Sequence, residues 1–142
     1  MTNILIPSLT ALIIAQTLKF LLKSNHQEFN LKNIFAYSKM PSGHSALVVA
    51  LTTSTGLAHG FDSSLFAITF IVTIIVIRDA LGIRQYLGRH GKTLNILVRD
   101  LDEDKMLDEK YPHLIENVGH TPAEVFVGSL IGLLVSLAFY FL

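Results

Sequence analysis

The chain has 142 residues, of which 51% are hydrophobic and 15% are charged, and its formal net charge is zero. This length accommodates one domain of ordinary size, and the apolar excess is unusual for a soluble domain. The zero net charge gives no general attraction to nucleic acid, and the absence of cysteine excludes disulfides, thiolate metal sites and a cysteine nucleophile.

Four apolar stretches follow one another along the chain and predict membrane-spanning helices. The first and last are near the roughly 20 residues that cross a hydrocarbon core as a helix, and the middle two are shorter. A soluble protein with four buried helices is the disfavoured alternative, because so short a chain could not cover them. We therefore predict a single all-α domain over residues 1–142, a membrane bundle of about four transmembrane helices. The stretches are Ile4–Leu22, Ser45–Ala58, Leu65–Ile77 and Val125–Leu142.

The connections between these stretches predict an orientation. Residues 23–40 and 85–119 form long polar loops, whereas residues 59–64 form a short link. Four spans place both long loops on one side, and all eleven Lys and Arg residues lie in these loops or at span ends that face them. By the positive-inside rule that side is cytoplasmic, and both termini lie on the opposite side of a cell inner membrane.

The second long loop contains two recognisable segments. Apolar residues recur there at helical spacing and predict a short amphipathic helix on the membrane surface: Leu94, Leu97, Val98 and Leu101. The aspartates at 100, 102 and 104 that follow resemble the opening of a calcium loop. However, Lys105 and Tyr111 stand where such a loop needs glycine and glutamate, so a solvated acidic patch is favoured.

Each predicted span end on the cytoplasmic side carries residues suited to phosphate. A helix N-terminus offers free N–H groups to an anion, and Gly43 would permit a close approach. His44 and His120 are able to transfer a proton or attack phosphorus near neutral pH. The clusters lack the ligand count of a metal pair, so we expect fixed Lys and Arg charges and no cofactor. The clusters are Lys19 and Lys23, Pro41–His44, Arg78 with Asp79 and Arg84, and Gly119–Glu124.

Several of these residues also have purely structural explanations. Ser42 is a suitable N-cap, and Thr121 with Glu124 has the spacing of a capping box, in which Glu124 bonds the backbone of Thr121. Lys19 could extend to the lipid headgroups and leave Lys23 to bind phosphate. An ion pair is a further explanation for Arg78 and Asp79, and helix packing is one for Gly128 and Gly132.

Two motifs carry a resemblance to a known family. "PSGH" before a span and "GHTPAEVFVGSLIG" at the start of the last span resemble the type 2 phosphatidic acid phosphatase superfamily. "RDALGIRQYLGRHGKTLN" is similar to its short divergent branch, the acid phosphatase/vanadium-dependent haloperoxidase-related family. The resemblance covers roughly residues 10–140.

The resemblance implies a role for each candidate residue. His120 would be the nucleophile that forms a phosphohistidine, Glu124 would hold its other ring nitrogen, and His44 would protonate the leaving oxygen. The phosphoryl oxygens would be bound by Lys19, Arg84 and the Ser42–Gly43 segment. Arg78 and Asp79 join the candidate substrate-binding residues, because charged residues near a span are functional candidates by default.

The chain departs from the superfamily signatures in three ways. The first signature has a lysine followed seven residues later by Arg-Pro, and no lysine of this chain is followed in that way. The acid four residues after His120 is glutamate, where the superfamily has aspartate. The superfamily arginine lies six residues before its histidine, whereas Arg84 lies much farther before His120. His90 has the expected spacing from Arg84, but the apolar Leu94 stands where an orienting acid would be needed. His120 is therefore the favoured nucleophile.

The expected activity is metal-independent hydrolysis of a lipid phosphate or diphosphate at the cytoplasmic face. The alternative is a non-catalytic membrane protein that binds or transports anionic phospholipids. Haloperoxidase chemistry is disfavoured, because a reaction of water-soluble substrates gives no reason for four spans. Four helices are few to enclose a site, so a homodimer is a further open alternative.

Overall fold

The computed structural model describes residues 3–22, 40–101, 113–116 and 118–142, and within these ranges it contains helices and no strand. Each of the four apolar stretches forms a helix, which confirms the all-α prediction. A fifth helix, α4, follows α3 directly. The helices are α1 Leu5–Leu21, α2 Gly43–His59, α3 Ser64–Leu81, α4 Ile83–Leu101 and α5 Pro122–Phe141.

Side-chain caps define where three helices begin. The hydroxyl of Ser42 accepts a bond from the Ser45 N–H at the start of α2. The hydroxyl of Ser63 accepts one from the Phe66 N–H at the start of α3. Thr121 and Glu124 form a complete capping box at the start of α5, with Pro122 in the first turn. These bonds satisfy N–H groups that have no partner within the helix.

Helix α2 lies at the centre of the bundle, where it packs against α1, α3 and α5. A side chain at Gly128 would overlap the Ser42 carbonyl, and one at Gly132 would overlap the Ala46 carbonyl and lie 2.9 Å from the Ala50 nitrogen. The backbones of α2 and α5 are thus in direct contact, which confirms the packing role predicted for the two glycines.

The side chains inside the bundle are small and include both alanines and hydroxyl residues, whereas many of those on its exterior are large and apolar. Thr52 and Thr73 share a buried hydrogen bond of 2.7 Å between α2 and α3, and Ser54 donates to Ser136 at 3.1 Å between α2 and α5. Most of α3 is exposed, including Leu65, Ile68, Phe70, Ile71, Ile74 and Ile75. Exposed apolar faces around a small-residue core are typical of a membrane bundle, since lipid covers the large side chains.

By length and composition, two helical segments are long and apolar enough to cross a membrane: Ser64–Arg99, which contains α3 and most of α4, and Pro122–Phe141, which is α5. Leu5–Leu21 is a shorter apolar helix. Helix α2 contains more Ser and Thr because it faces other helices rather than lipid. The count of four spans stays a prediction.

Helix α4 confirms the predicted amphipathic helix and is longer than expected. The helix is interrupted at Gly82, so Arg84 belongs to the first turn of α4. The sequence had placed it at the end of the third span, and this position is corrected. Leu94 and Leu97 are exposed on one face, while Gly88 and Gly91 are buried on another. Its position on the membrane surface stays a prediction.

Candidate active site

The backbone of His120 is fixed to the junction between α3 and α4. Its N–H donates to the carbonyl of Ala80 at 3.1 Å, and its own carbonyl accepts a bond of 2.6 Å from the Gln85 side chain. The preceding Gly119 has φ +102°, a conformation that L side chains rarely adopt. These features place a buried histidine, 8% exposed, directly before α5.

Titratable groups from three helices lie within electrostatic reach of His120. Burial, together with the nearby charges of Lys19, His44 and Arg84, lowers the pKa of His120 to about 4. The imidazole is therefore neutral at pH 7, the protonation state in which imidazole can act as a nucleophile towards phosphorus. The fold thus brings together residues from all four predicted clusters.

Lys19 points into the bundle rather than towards the lipid headgroups. It is only 4% exposed, and its ammonium interacts electrostatically with the Glu124 carboxylate. The headgroup position considered for this lysine is therefore not observed. Lys23, the other candidate, lies outside the described residues, as does the acidic run from residue 102 to 112.

The Ser42–His44 segment lies where α2 begins. Ser42 is fully buried, and its hydroxyl also accepts a bond of 3.0 Å from the Ser45 hydroxyl. A Cβ on Gly43 would lie 3.1 Å from the Leu12 side chain in α1, so close helix packing also favours a glycine there. Contact of either residue with phosphate stays a prediction. His44 is exposed and lies within electrostatic reach of Lys19, Asp79 and Arg84.

Asp79 pairs with Arg84, at 2.5 Å, across the break at Gly82. The ion pair considered between Arg78 and Asp79 is replaced by this one, because adjacent residues of a helix point in different directions. Arg84 acts on both histidines, whereas Arg78 is exposed and is not among the charges that act on either. Substrate binding by Arg78 therefore receives no support from this arrangement.

Glu124 forms the capping-box contact that the sequence left open. Its carboxylate accepts a bond of 2.9 Å from the Thr121 N–H, and its own N–H donates to the Thr121 hydroxyl at 3.3 Å. Its backbone carbonyl accepts from the Ser42 N–H at 3.0 Å, which joins the starts of α2 and α5. Orientation of the His120 ring by Glu124 stays a prediction.

His90, the alternative nucleophile, is exposed on α4 and is not among the charges that act on His44 or His120. The cations converge on His120 instead. This arrangement favours His120 over His90 through the surrounding charges, whereas the sequence favoured it because Glu124, rather than an apolar residue, stands four residues later.

Sequence reasoning missed the residues that hold the segment before His120 against α4. The Asn95 side chain accepts a bond from the Leu114 N–H and donates to the Leu114 carbonyl, both at 2.9 Å, and it donates to Glu116 at 3.0 Å. Gly88 and Gly91 leave room for the backbone of this segment. The signal was present, since these residues recur at positions i, i+3 and i+7 of one helix face.

A groove of about 370 Å³ lies between α4 and the segment that leads into α5. It is lined by His120 and Glu124 together with Gln85, Arg89 and Lys92. Within the described residues, no group of three His, Asp or Glu side chains is placed to hold a metal ion.

The fold and the site define a helical membrane protein with a buried histidine among fixed cations at one end of the bundle. A model of the Divergent PAP2 family matches residues 1–135. The chain is 39% identical over 152 residues to a Bacillus subtilis (strain 168) protein named Uncharacterized membrane protein YuiD, covering 97% of this chain and 95% of that one. No solved structure matches the chain. The chain belongs to the Divergent PAP2 family.

Proposed function

We propose that this protein is a phosphatase that releases phosphate from a lipid phosphate or diphosphate through a phosphohistidine intermediate. One observation carries the proposal: a buried, neutral His120 lies within electrostatic reach of Lys19, His44 and Arg84. A binding site for phosphate needs only the cations, whereas a poised neutral imidazole among them suits a nucleophile.

The proposed reaction has two steps. The His120 ring attacks phosphorus, the bond from phosphorus to the leaving oxygen breaks, and His44 donates a proton to that oxygen. Water then attacks the phosphohistidine while His44 accepts its proton, which releases inorganic phosphate and restores His120. Lys19 and Arg84 stabilise the charge on the phosphoryl oxygens throughout.

The membrane setting supports a lipid substrate. The residues of the site come from the ends of α1 and α3 and from the starts of α2, α4 and α5, next to helices whose exposed faces are apolar. A substrate with a polar headgroup and an apolar tail matches both surroundings. We propose that the site faces the cytoplasm from the inner membrane.

The non-catalytic alternative is a protein that binds or transports anionic phospholipids. The capping role of Glu124 favours it, because that contact engages the acid that would otherwise orient His120. The two functions differ in turnover, so phosphate release distinguishes them.

The test is phosphate release by purified protein from a panel of lipid phosphates and diphosphates. We expect release that persists in EDTA and is inhibited by vanadate, and we expect His120→Ala to abolish it while helical content stays unchanged. The matched control, His90→Ala, should retain activity. Activity that survives His120→Ala, or that is lost in EDTA and restored by Mg²⁺, contradicts the proposed mechanism.

A further inference from the structure

The groove beside His120 contains cations that the proposed reaction does not use. Arg89 and Lys92 line it from α4, separated by one helical turn and therefore on one face. Its volume, about 370 Å³, is at the small end of the range for ligand sites, about 300–1,000 Å³. His120 also lines the groove, so a ligand there lies beside the proposed nucleophile.

These two cations are separate from those that act on the histidines. The groups whose charges act on His120 are Lys19, His44 and Arg84, and neither Arg89 nor Lys92 is among them. Arg89 and Lys92 are both exposed, so their charged ends are accessible to a ligand from water. An arginine grips two oxygens at once and a lysine adds a point charge, a combination suited to a phosphate group.

The carboxylates in the groove already bind donors of the protein. Glu116 accepts a bond of 3.0 Å from Asn95, and Glu124 accepts one of 2.9 Å from the Thr121 N–H. Each bond engages one oxygen of its carboxylate, and among the described residues neither carboxylate forms an ion pair with Arg89 or Lys92.

We infer that Arg89 and Lys92 form a second anion subsite and that the substrate is a lipid diphosphate rather than a monophosphate. This inference rests on the proposed function. His120 attacks the terminal phosphorus, and the bond to the bridging oxygen breaks. The electron pair leaves with the lipid monophosphate, whose phosphate Arg89 and Lys92 hold. Water then releases inorganic phosphate from His120.

The first experiment measures binding without turnover. Titration calorimetry compares inorganic pyrophosphate with inorganic phosphate on the detergent-purified protein. We expect pyrophosphate to bind at least about tenfold more tightly, because it reaches both subsites. The double variant Arg89→Gln/Lys92→Gln should lose this advantage, and Arg99→Gln, a cation of the same helix outside the groove lining, should keep it. Equal affinities in the wild type, or an advantage that the double variant retains, overturn the inference.

The second experiment compares a lipid diphosphate and a lipid monophosphate with the same tail. We expect the double variant to lower kcat/KM for the diphosphate at least about tenfold and to change that for the monophosphate by less than about twofold. Equal losses on both lipids contradict the second subsite. If the wild type releases phosphate from neither lipid, the proposed function fails, and the titration still decides whether the subsite exists.

Discussion

At the scale of single residues, Glu124 is the side chain whose role separates the two candidate functions. Glutamine keeps the oxygen that caps Thr121 but removes the charge, and a capping box accepts either residue. If the charge of Glu124 acts on Lys19 and His120, Glu124→Gln should lower phosphate release at least about tenfold with an unchanged melting temperature. Unchanged activity in this variant would assign Glu124 to capping alone.

His120 predicts a pH dependence of stability. Its pKa in the folded protein, about 4, is below its ordinary value of about 6.5, so between these values the unfolded chain binds more protons. The contribution of His120 is therefore complete above about pH 6.5 and is lost as the pH falls towards 4.

Thermal unfolding followed by circular dichroism in detergent tests this dependence. The melting temperature of the wild type should fall as the pH is lowered from 7 to 4, and His120→Gln, which does not titrate, should show a weaker fall. Equal slopes for the two proteins would place the pKa of His120 near its ordinary value.

At the scale of elements, the contact between α2 and α5 depends on Gly132. A methyl group there would overlap the Ala46 carbonyl and press on the backbone of Ala50, neither of which is a flexible side-chain end. We expect Gly132→Ala to destabilise the protein by about 1–3 kcal/mol, although alanine alone favours a helix by about 1 kcal/mol over glycine. Thermal unfolding measures this.

The matched control is Leu134→Ala, which shortens an exposed side chain on the same helix. This variant should unfold close to the wild type in detergent, because no protein atoms are removed from the core. A Gly132→Ala protein at least as stable as the wild type would show that α2 and α5 can separate without cost.

At the scale of the whole molecule, the distribution of Lys and Arg predicts the orientation. No Lys or Arg occurs in residues 1–18, 59–64 or 125–142, and all eleven lie at or near the other side. Lys and Arg near span ends resist translocation, whereas Asp and Glu contribute little. The site end of the bundle should therefore face the cytoplasm.

The chain has no cysteine, so single cysteines report this orientation directly. An impermeant maleimide on intact cells should label Ser63→Cys, at the short link, and should not label Lys105→Cys in the second long loop. Labelling of Lys105→Cys on intact cells would show that the orientation is opposite to the predicted one. Crosslinking in the same membranes would test the homodimer, which stays a prediction.

The sequence determined the helices and the candidate site residues, because apolar periodicity and short-range capping depend on neighbouring residues. It predicted α1, α2, α3 and α5, the amphipathic character of α4, and the capping contacts of Ser42 and Thr121. The local pattern also favoured His120 over His90, because Glu124 lies four residues after His120 whereas the apolar Leu94 lies four residues after His90.

Only the tertiary structure decided which of these residues meet. Lys19 is buried inside the bundle, where it faces residues of other helices. Asp79 of α3 pairs with Arg84 of α4, and Gln85 of α4 donates to the His120 carbonyl before α5. Such contacts depend on the break at Gly82 and on the close packing at Gly128 and Gly132, which set how the helices face one another. A sequence pattern specifies the face of a helix, whereas the partner of that face is fixed only when the helices pack.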